Sequence, residues 1–445
     1  MAESSSPLFH LLTRIRNSIA YYPTLICAGY VALAGLVLVF ESLPVASALK
    51  ALLPTGLTDA DNVREILGTL ITSIISLVVF SFSMVMVVLN GAAARLSPRV
   101  LPGLISDTRN RIILGVNLGS VLFFLTQIIL VDKSDPQSTP TLGVLLSLAT
   151  AVLCLTLFVE FIRSVSQSIR VDWVMNQLFE GACSELKKRK QLLEGCAPPP
   201  DDSHWWCLRM RSDGYLQDVD EHRLCKLLVG RDLVARVQVE PGFFLVEGHP
   251  LIRFSAPLSD EEADEAHECF GFSNDEYASS NAAYGMRQLS EIAVKAISPA
   301  INDPGTAIRG INLIGVLLAR HMGGPAYSPG CFDGMRPRLY YRELSTAALL
   351  FATVGPVRIY GASDPQVMIA VFQCLKNALH HPGDAAQLAA YGETLRALRE
   401  AIDEQITNAW DRAALNILIE QINELGMAGL GHLEPLAGAA TPAGG

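Results

Sequence analysis

The chain is short of charge. Of 445 residues only 18% are Asp, Glu, Lys or Arg, and 50% are hydrophobic. Soluble domains carry about a quarter charged residues, so part of this chain is built for a medium other than water. A basic domain is also lacking. Residues 171–445 hold 23 Lys and Arg against 35 Asp and Glu, a net of −12. Nucleic-acid binders need a basic face, so a nucleic-acid partner is excluded. Nine cysteines occur, at 27, 154, 183, 196, 207, 225, 269, 331 and 374, and none forms a C-x-x-C pair. That spacing predicts free thiols in a reducing compartment and no zinc site. G-x-S-x-G, H-E-x-x-H and Walker loops are missing, and the nine histidines are dispersed. No enzyme, catalytic residue, metal or cofactor is expected. There is no ladder of arginines for a voltage sensor and no Gly-Tyr-Gly filter loop.

What is present is apolar length. Four runs are long enough to cross a hydrocarbon core, which takes about 20 residues. They are Thr24–Phe40, Ile66–Asn90, Ile112–Val131 and Thr141–Ile162. The first starts late and lacks a clear cleavage site, unlike a signal peptide. Flanking charge orients them. Arg14 and Arg16 precede the first run, Arg95, Arg99, Arg109 and Arg111 lie between the second and third, and Arg163 and Arg170 follow the fourth. The other two loops hold only Lys50, Arg64 and Lys133. By the positive-inside rule both termini are cytoplasmic. Residues 1–23 form a cytoplasmic N-terminus and residues 24–162 a four-helix transmembrane domain. The four interhelical arginines also suit anionic lipid headgroups at the inner leaflet.

The second run carries Thr69, Ser73, Ser76 and Ser83 at helical spacing. Small hydroxyls on one face serve close helix packing, or they line a wetted pore. Asn117 and Gln127 in the third run lie within about a quarter-turn of each other. They are candidate pore-lining residues with the hydroxyls, or interhelical hydrogen-bond partners. Glu160 is expected to snorkel or pair with Arg163, one turn on.

Residues 163–195 read as a stalk helix, ended by the prolines of "CAPPPDD". Residues 203–256 read as a small β-module: a short helix near Glu221–Leu228, then strands at Val234–Val239, Phe243–Val246 and Leu251–Phe254. Residues 257–430 read as a helical domain. Its helices start at Asp260, capped by Ser259, then run over Met286–Ile297, Pro304–His321, Arg342–Val354, Gln366–His380, Ala385–Thr407 and Asn408–Leu425. Residues 431–445 read as a disordered tail. The fold class is therefore a mainly α membrane protein: four transmembrane helices followed by a cytoplasmic α+β region.

One stretch breaks the helical pattern, "AISPAINDPGTAIRGI" from Ala296 to Ile311. Ser298-Pro299 ends one helix, and Asp303 caps the next with Pro304 at its first position. This is a helix–turn–helix corner. It is also a candidate ligand site, in which Asn302 and Asp303 would hold a cation or polar group with Arg309 close by.

"SFSMVMVVLNGAAARLSPRVL", "GYLQDVD", "PGFFLVEGHPL" and "IAVKAISPAINDPGTAI" together resemble the bacterial predicted membrane proteins of the domain of unknown function 2254 family. The resemblance implies an inner-membrane protein with four spans and a cytoplasmic C-terminal region. It implies no catalytic mechanism. The chain departs from the pattern in four places: Asn281 stands where an Asp is expected, Tyr284 where a Phe is, Phe243 where an Asp is, and the Arg expected before Asn281 is missing. Two functions remain open. One is an oligomeric channel or conduit gated through the cytoplasmic region, with its pore on a symmetry axis of a homo-oligomer. The other is a non-conducting sensor or scaffold that binds a cytoplasmic ligand or partner.

Overall fold

The structure, a computed structural model, describes residues 20–41, 59–95, 108–131, 140–168, 170–273, 281–381 and 383–438. It divides into two compact units, Met1–Ala94 with Leu101–Arg170, and Arg95–Val100 with Val171–Gly445.

Among the described residues the first unit holds four helices: α1 (Tyr21–Glu41), α2 (Ala60–Arg95), α3 (Thr108–Leu130) and α4 (Thr141–Ser168). Each is long and apolar enough to cross a membrane, as the four runs predict. Many of their large apolar side chains are exposed, as lipid-facing helices require, and the inward ones, among them Leu67, Phe123, Phe124 and Val144, form the core. α1 and α3 make the closest approach, over Gly115 and Gly119. A Cβ at Gly115 would lie 2.9 Å from the Pro23 Cα, and one at Gly119 would lie 2.3 Å from the Tyr30 ring. This is the small-xxx-small device by which membrane helices gain contact without a hydrophobic driving force. Polar groups close the ends. The Leu142 amide at the start of α4 donates to Glu41 Oε1 at 2.6 Å. Glu160 pairs with Arg109 of α3 rather than with Arg163 on its own helix. The cross-helix partner corrects the sequence reading, because helix neighbours are visible in sequence and packed neighbours are not.

The second unit begins with α5 (Val171–Leu193). Its apolar stripe buries Val174, Met175, Ala182 and Leu186 against α8 (Ala282–Ile297) and α9 (Pro304–His321). Residues 171–193 are thus part of the second unit's helical body, and a free-standing stalk would leave that stripe in water. The strands are β1 (Trp206–Arg209), β2 (Gly214–Val219), β3 (Ala235–Val237), β4 (Phe244–Leu245), β5 (Pro250–Phe254), β6 (Phe270–Ser273), β7 (Tyr327–Pro329), β8 (Phe332–Asp333), β9 (Arg336–Pro337) and β10 (Leu339–Arg342). One sheet has the order β1-β5-β3-β10-β7, another β4-β2-β6, and β8 pairs with β9. β10 runs parallel to β3, with Leu339 opposite Ala235, so strands from distant parts of the sequence share one sheet, and residues 203–256 are not a self-contained module. Helices α6 (Glu221–Gly230) and α7 (Asp260–Glu268) accompany the sheets over a core of Leu216, Leu224, Leu228, Leu251 and Phe254.

The remaining helices are α10 (Thr346–Gly361), α11 (Pro365–Leu379), α12 (Ala385–Gln405) and α13 (Ala409–Glu424). α10 starts later than Arg342, because β10 takes Arg342 into the sheet and Ser345 caps the helix. It also runs on through Pro356. The start of the expected tail is tied down: Asn423 and Asn416 bond the backbones of Leu433 and Leu436, which are buried. Residues 439–445, like 1–19, lie outside the described residues.

Cys225 and Cys331 are joined by a disulfide, with Cα atoms 5.9 Å apart. This corrects the expectation of nine free thiols. The two cysteines are 106 residues apart, and only the sheet crossover brings α6 to the turn that carries Cys331. Seven cysteines remain free. Maleimide labelling of denatured, purified protein is expected to modify seven thiols without reductant and nine after reduction; nine without reductant would contradict the bond.

The SPAINDP corner is built as its residues dictate. The Ser298 cap is extended before Pro299. Asn302 takes a left-handed φ of 48°, a conformation that Asn tolerates and branched residues do not. Its amide donates to the Ser298 carbonyl at 2.9 Å, and the Asp303 amide donates to that of Ala296 at 2.8 Å. Asp303 accepts from the Thr306 amide and hydroxyl. Asn302→Gly is expected to keep stability, and Asn302→Val to cost about 1–2 kcal/mol, read by urea unfolding. Equal loss from both would show that the Asn side chain, not its backbone, matters.

Candidate functional site

The second unit holds a half-open cavity of about 190 Å³. This is below the usual range of about 300–1,000 Å³ for drug-sized ligands and suits a compact molecule. Several elements build it. The last turns of α5 supply Leu186 and Arg189, the turn after β3 supplies Glu240, and the start of α8 supplies Asn281 and Met286. The strand pair β7 and β10 supplies Ser328 and Tyr341, and Glu343 follows β10.

Glu240 lies at the centre of the polar wall and is only 8% exposed. It accepts from the Leu344 amide and, at 3.1 Å, from Asn281 Nδ2. Both donors are neutral. Burial, and next the charge of Glu343, push its carboxyl up to about 7, against the two hydrogen bonds and Arg189. Asn281 does two jobs. Its Oδ1 caps α8 by accepting from the Ala283 and Tyr284 amides, and its amide also donates to the Pro241 carbonyl at 3.0 Å.

Arg189 is committed elsewhere. Its guanidinium lies 3.6 Å from Glu343, donates to the carbonyls of Pro325 and Tyr327 and touches His321 Nδ1 at 3.4 Å. Burial, helped by Arg189, drops the His321 imidazole to about 4, so it is neutral at physiological pH. Glu343 also accepts from the Ser328 hydroxyl at 2.5 Å. The Tyr341 hydroxyl donates to Glu221 at 2.8 Å, and burial with that carboxylate holds the phenol far above its ordinary value. Leu186, Met286 and Leu349 give the cavity an apolar side. Among the described residues no three His, Cys, Asp or Glu side chains converge to hold a metal ion.

The residues singled out from sequence lie elsewhere. Asn302 and Asp303 are exposed at the corner. Arg309 turns to α5, 3.3 Å from Asp172 and 3.2 Å from Asn176, and none of the three lines the cavity. Thr69, Ser73, Ser76 and Ser83 are exposed on α2, and each of the three serine hydroxyls donates to the carbonyl four residues back. Asn117 and Gln127 are buried inside the first unit, with the Asn117 carbonyl oxygen and both Gln127 amide atoms lacking a hydrogen-bond partner. The hydroxyls and the amides therefore occupy different faces of the unit. Arg109 is engaged by Glu160 and Arg111 is buried, while Arg99 lies outside the described residues.

Sequence reasoning missed Glu240, Arg189 and Glu343. One signal was available: Asn281, a departure from the family pattern, sits on this wall. Glu240 itself gave no signal, because it continues the polar side of the alternation set by Arg236 and Gln238, directly before a Pro-Gly turn.

The family model described as a predicted membrane protein, DUF2254, matches residues 16–377. An uncharacterized protein of Mycobacterium tuberculosis and one of Mycobacterium bovis are each 23% identical over 374 residues, covering 79% of this chain and 70% of the relative. No solved structure matches the chain.

Proposed function

The chain belongs to the predicted membrane protein family DUF2254, and from there we propose that it is a membrane-anchored sensor that takes a small ligand into the Glu240 cavity. The single observation that carries this is a nearly enclosed carboxyl, Glu240, held by neutral donors in the wall of a cavity. Covalent connection supports it. α5, which lines the cavity, begins three positions after α4 ends at Ser168, so a ligand would press on the helix joined to the last span. The arrangement proposed is a bacterial inner-membrane protein with both termini cytoplasmic, supported by the distribution of Arg and Lys between loops. Because Arg109 and Arg111 are engaged or buried, the proposed contact with anionic lipid rests on Arg95 and Arg99. A disulfide in a cytoplasmic unit would meet thiol reductants in the cell, so Cys225 and Cys331 are then open in vivo and paired on purification.

Hydrogen exchange on the reconstituted full chain tests the sensor. Ligand saturation is expected to slow exchange in α5 and to alter it at the α4 terminus. A saturated cavity with no change beyond its own lining would sink signalling. The second reading is the oligomeric channel, favoured by the buried, unpartnered Gln127 amide, since polar side chains within a membrane mark pathways. Ligand-dependent current in planar bilayers would replace the sensor with that channel; silence at all voltages would dismiss the channel.

A further inference from the structure

The charge around the cavity narrows what it can hold. Among the described residues five carboxylates face it, Glu185, Asp218, Glu221, Glu240 and Glu343, against two cations, Lys188 and Arg189. Arg189 is already shared between Glu343 and two backbone carbonyls, so it is not free to receive an anion. His321 is neutral and adds no positive charge. Glu240 forms no ion pair within the described residues; its partners are two amides. A buried carboxylate without a countercharge is costly, and it lowers that cost by taking a proton or a cation. A bare metal ion does not fit, because the side chains do not converge as a ligand set. The cavity is also half apolar, through Leu186, Met286 and Leu349, which a metal ion would not use and an alkyl group would.

We infer that the cavity binds a small organic ammonium ion, with its charged head against Glu240 and its alkyl part against Leu186, Met286 and Leu349. This rests on the reading above that the cavity takes a ligand at all. It also fixes a pH dependence. The cation requires ionised Glu240, so affinity rises as pH rises from 6 to 8. The charged groups that act on Glu240 are Glu343, which opposes its ionisation, and Arg189, which favours it. Tyr341 stays protonated throughout, with its phenol held by Glu221.

The test uses purified full-length protein in detergent, titrated at pH 8 with n-butylammonium, putrescine, 1-butanol, butyrate and magnesium chloride, and followed by calorimetry and thermal shift. The ammonium compounds alone are expected to bind and raise the melting temperature. Glu240→Gln is expected to weaken them at least about 30-fold, as loss of one partner of a buried charge pair does. Leu186→Phe, which fills the apolar side and keeps the carboxylate, should weaken butylammonium as well. If butanol or butyrate binds and Glu240→Gln abolishes it, the cavity reading stands and the ammonium assignment falls. Ammonium binding untouched by both variants overturns the assignment, since the binding lies elsewhere. If no compound binds, both the assignment and the cavity reading fall.

Discussion

Glu240→Gln is expected to make the protein more stable at pH 8 and no more stable at pH 5. The reason is the direction in which Glu240 is displaced. Its carboxyl moves from an ordinary 4.5 to about 7, so between those values the folded state keeps a proton that the unfolded chain releases. Stability then falls as pH rises, beginning near 4.5 and complete above 7. Each tenfold displacement is worth about 1.4 kcal/mol, so burying the ionised group costs about 3 kcal/mol at pH 8. A Gln removes that cost. It also sets one NH2 against the Asn281 amide or the Leu344 N–H, a mismatch of about 1 kcal/mol. The net gain at pH 8 is about 2 kcal/mol, and at pH 5 the variant is level with or slightly below the parent. All four tryptophans, 173, 205, 206 and 410, lie in the second unit, so denaturant unfolding followed by tryptophan fluorescence reads this unit within the full chain. A parent whose stability is flat from pH 5 to 8, or a variant weaker than the parent at pH 8, would refute the burial account.

The second large effect is expected in the membrane unit. Gly115→Leu and Gly119→Leu each drive a side chain into α1, at Pro23 and Ile26 or at Tyr30. Tyr30 has little freedom to yield, since its ring leans on Phe123 with centroids 6.3 Å apart. Overpacking costs about 1–3 kcal/mol per site, and the double variant is expected to release α1 from α3. Gly29→Leu and Gly35→Leu on α1 are the controls, because a Cβ there meets nothing within 4 Å. SDS unfolding midpoints should fall for the α3 pair and hold for the α1 pair. Equal damage from both pairs would mean that glycine is needed for something other than this contact.

The span positions were legible because a membrane span is a local property: length and apolarity fix it without a partner. The SPAINDP corner was legible for the same reason, since Ser298, Asn302, Asp303 and Pro304 all act on neighbouring backbone. Pairing across the chain was not. The sequence shows Arg163 one turn from Glu160, but Arg109 reaches it first. Nothing local says that β10 will lie parallel to β3, or that Cys331 will meet Cys225. The cavity is the extreme case. Glu240, Asn281, Glu343 and Arg189 come from four separate segments, and they become a site only once the sheet crossover and the α5–α8 contact exist. The apolar stripe of α5 did announce that it needed a partner, but not which one.

The central claim is that the Glu240 cavity holds a small organic ammonium ion, and native mass spectrometry of the full-length protein tests it most directly. After incubation with butylammonium at pH 8, the parent is expected to carry one adduct per chain, and Glu240→Gln none. Equal adducts on both proteins, or on neither, would contradict it.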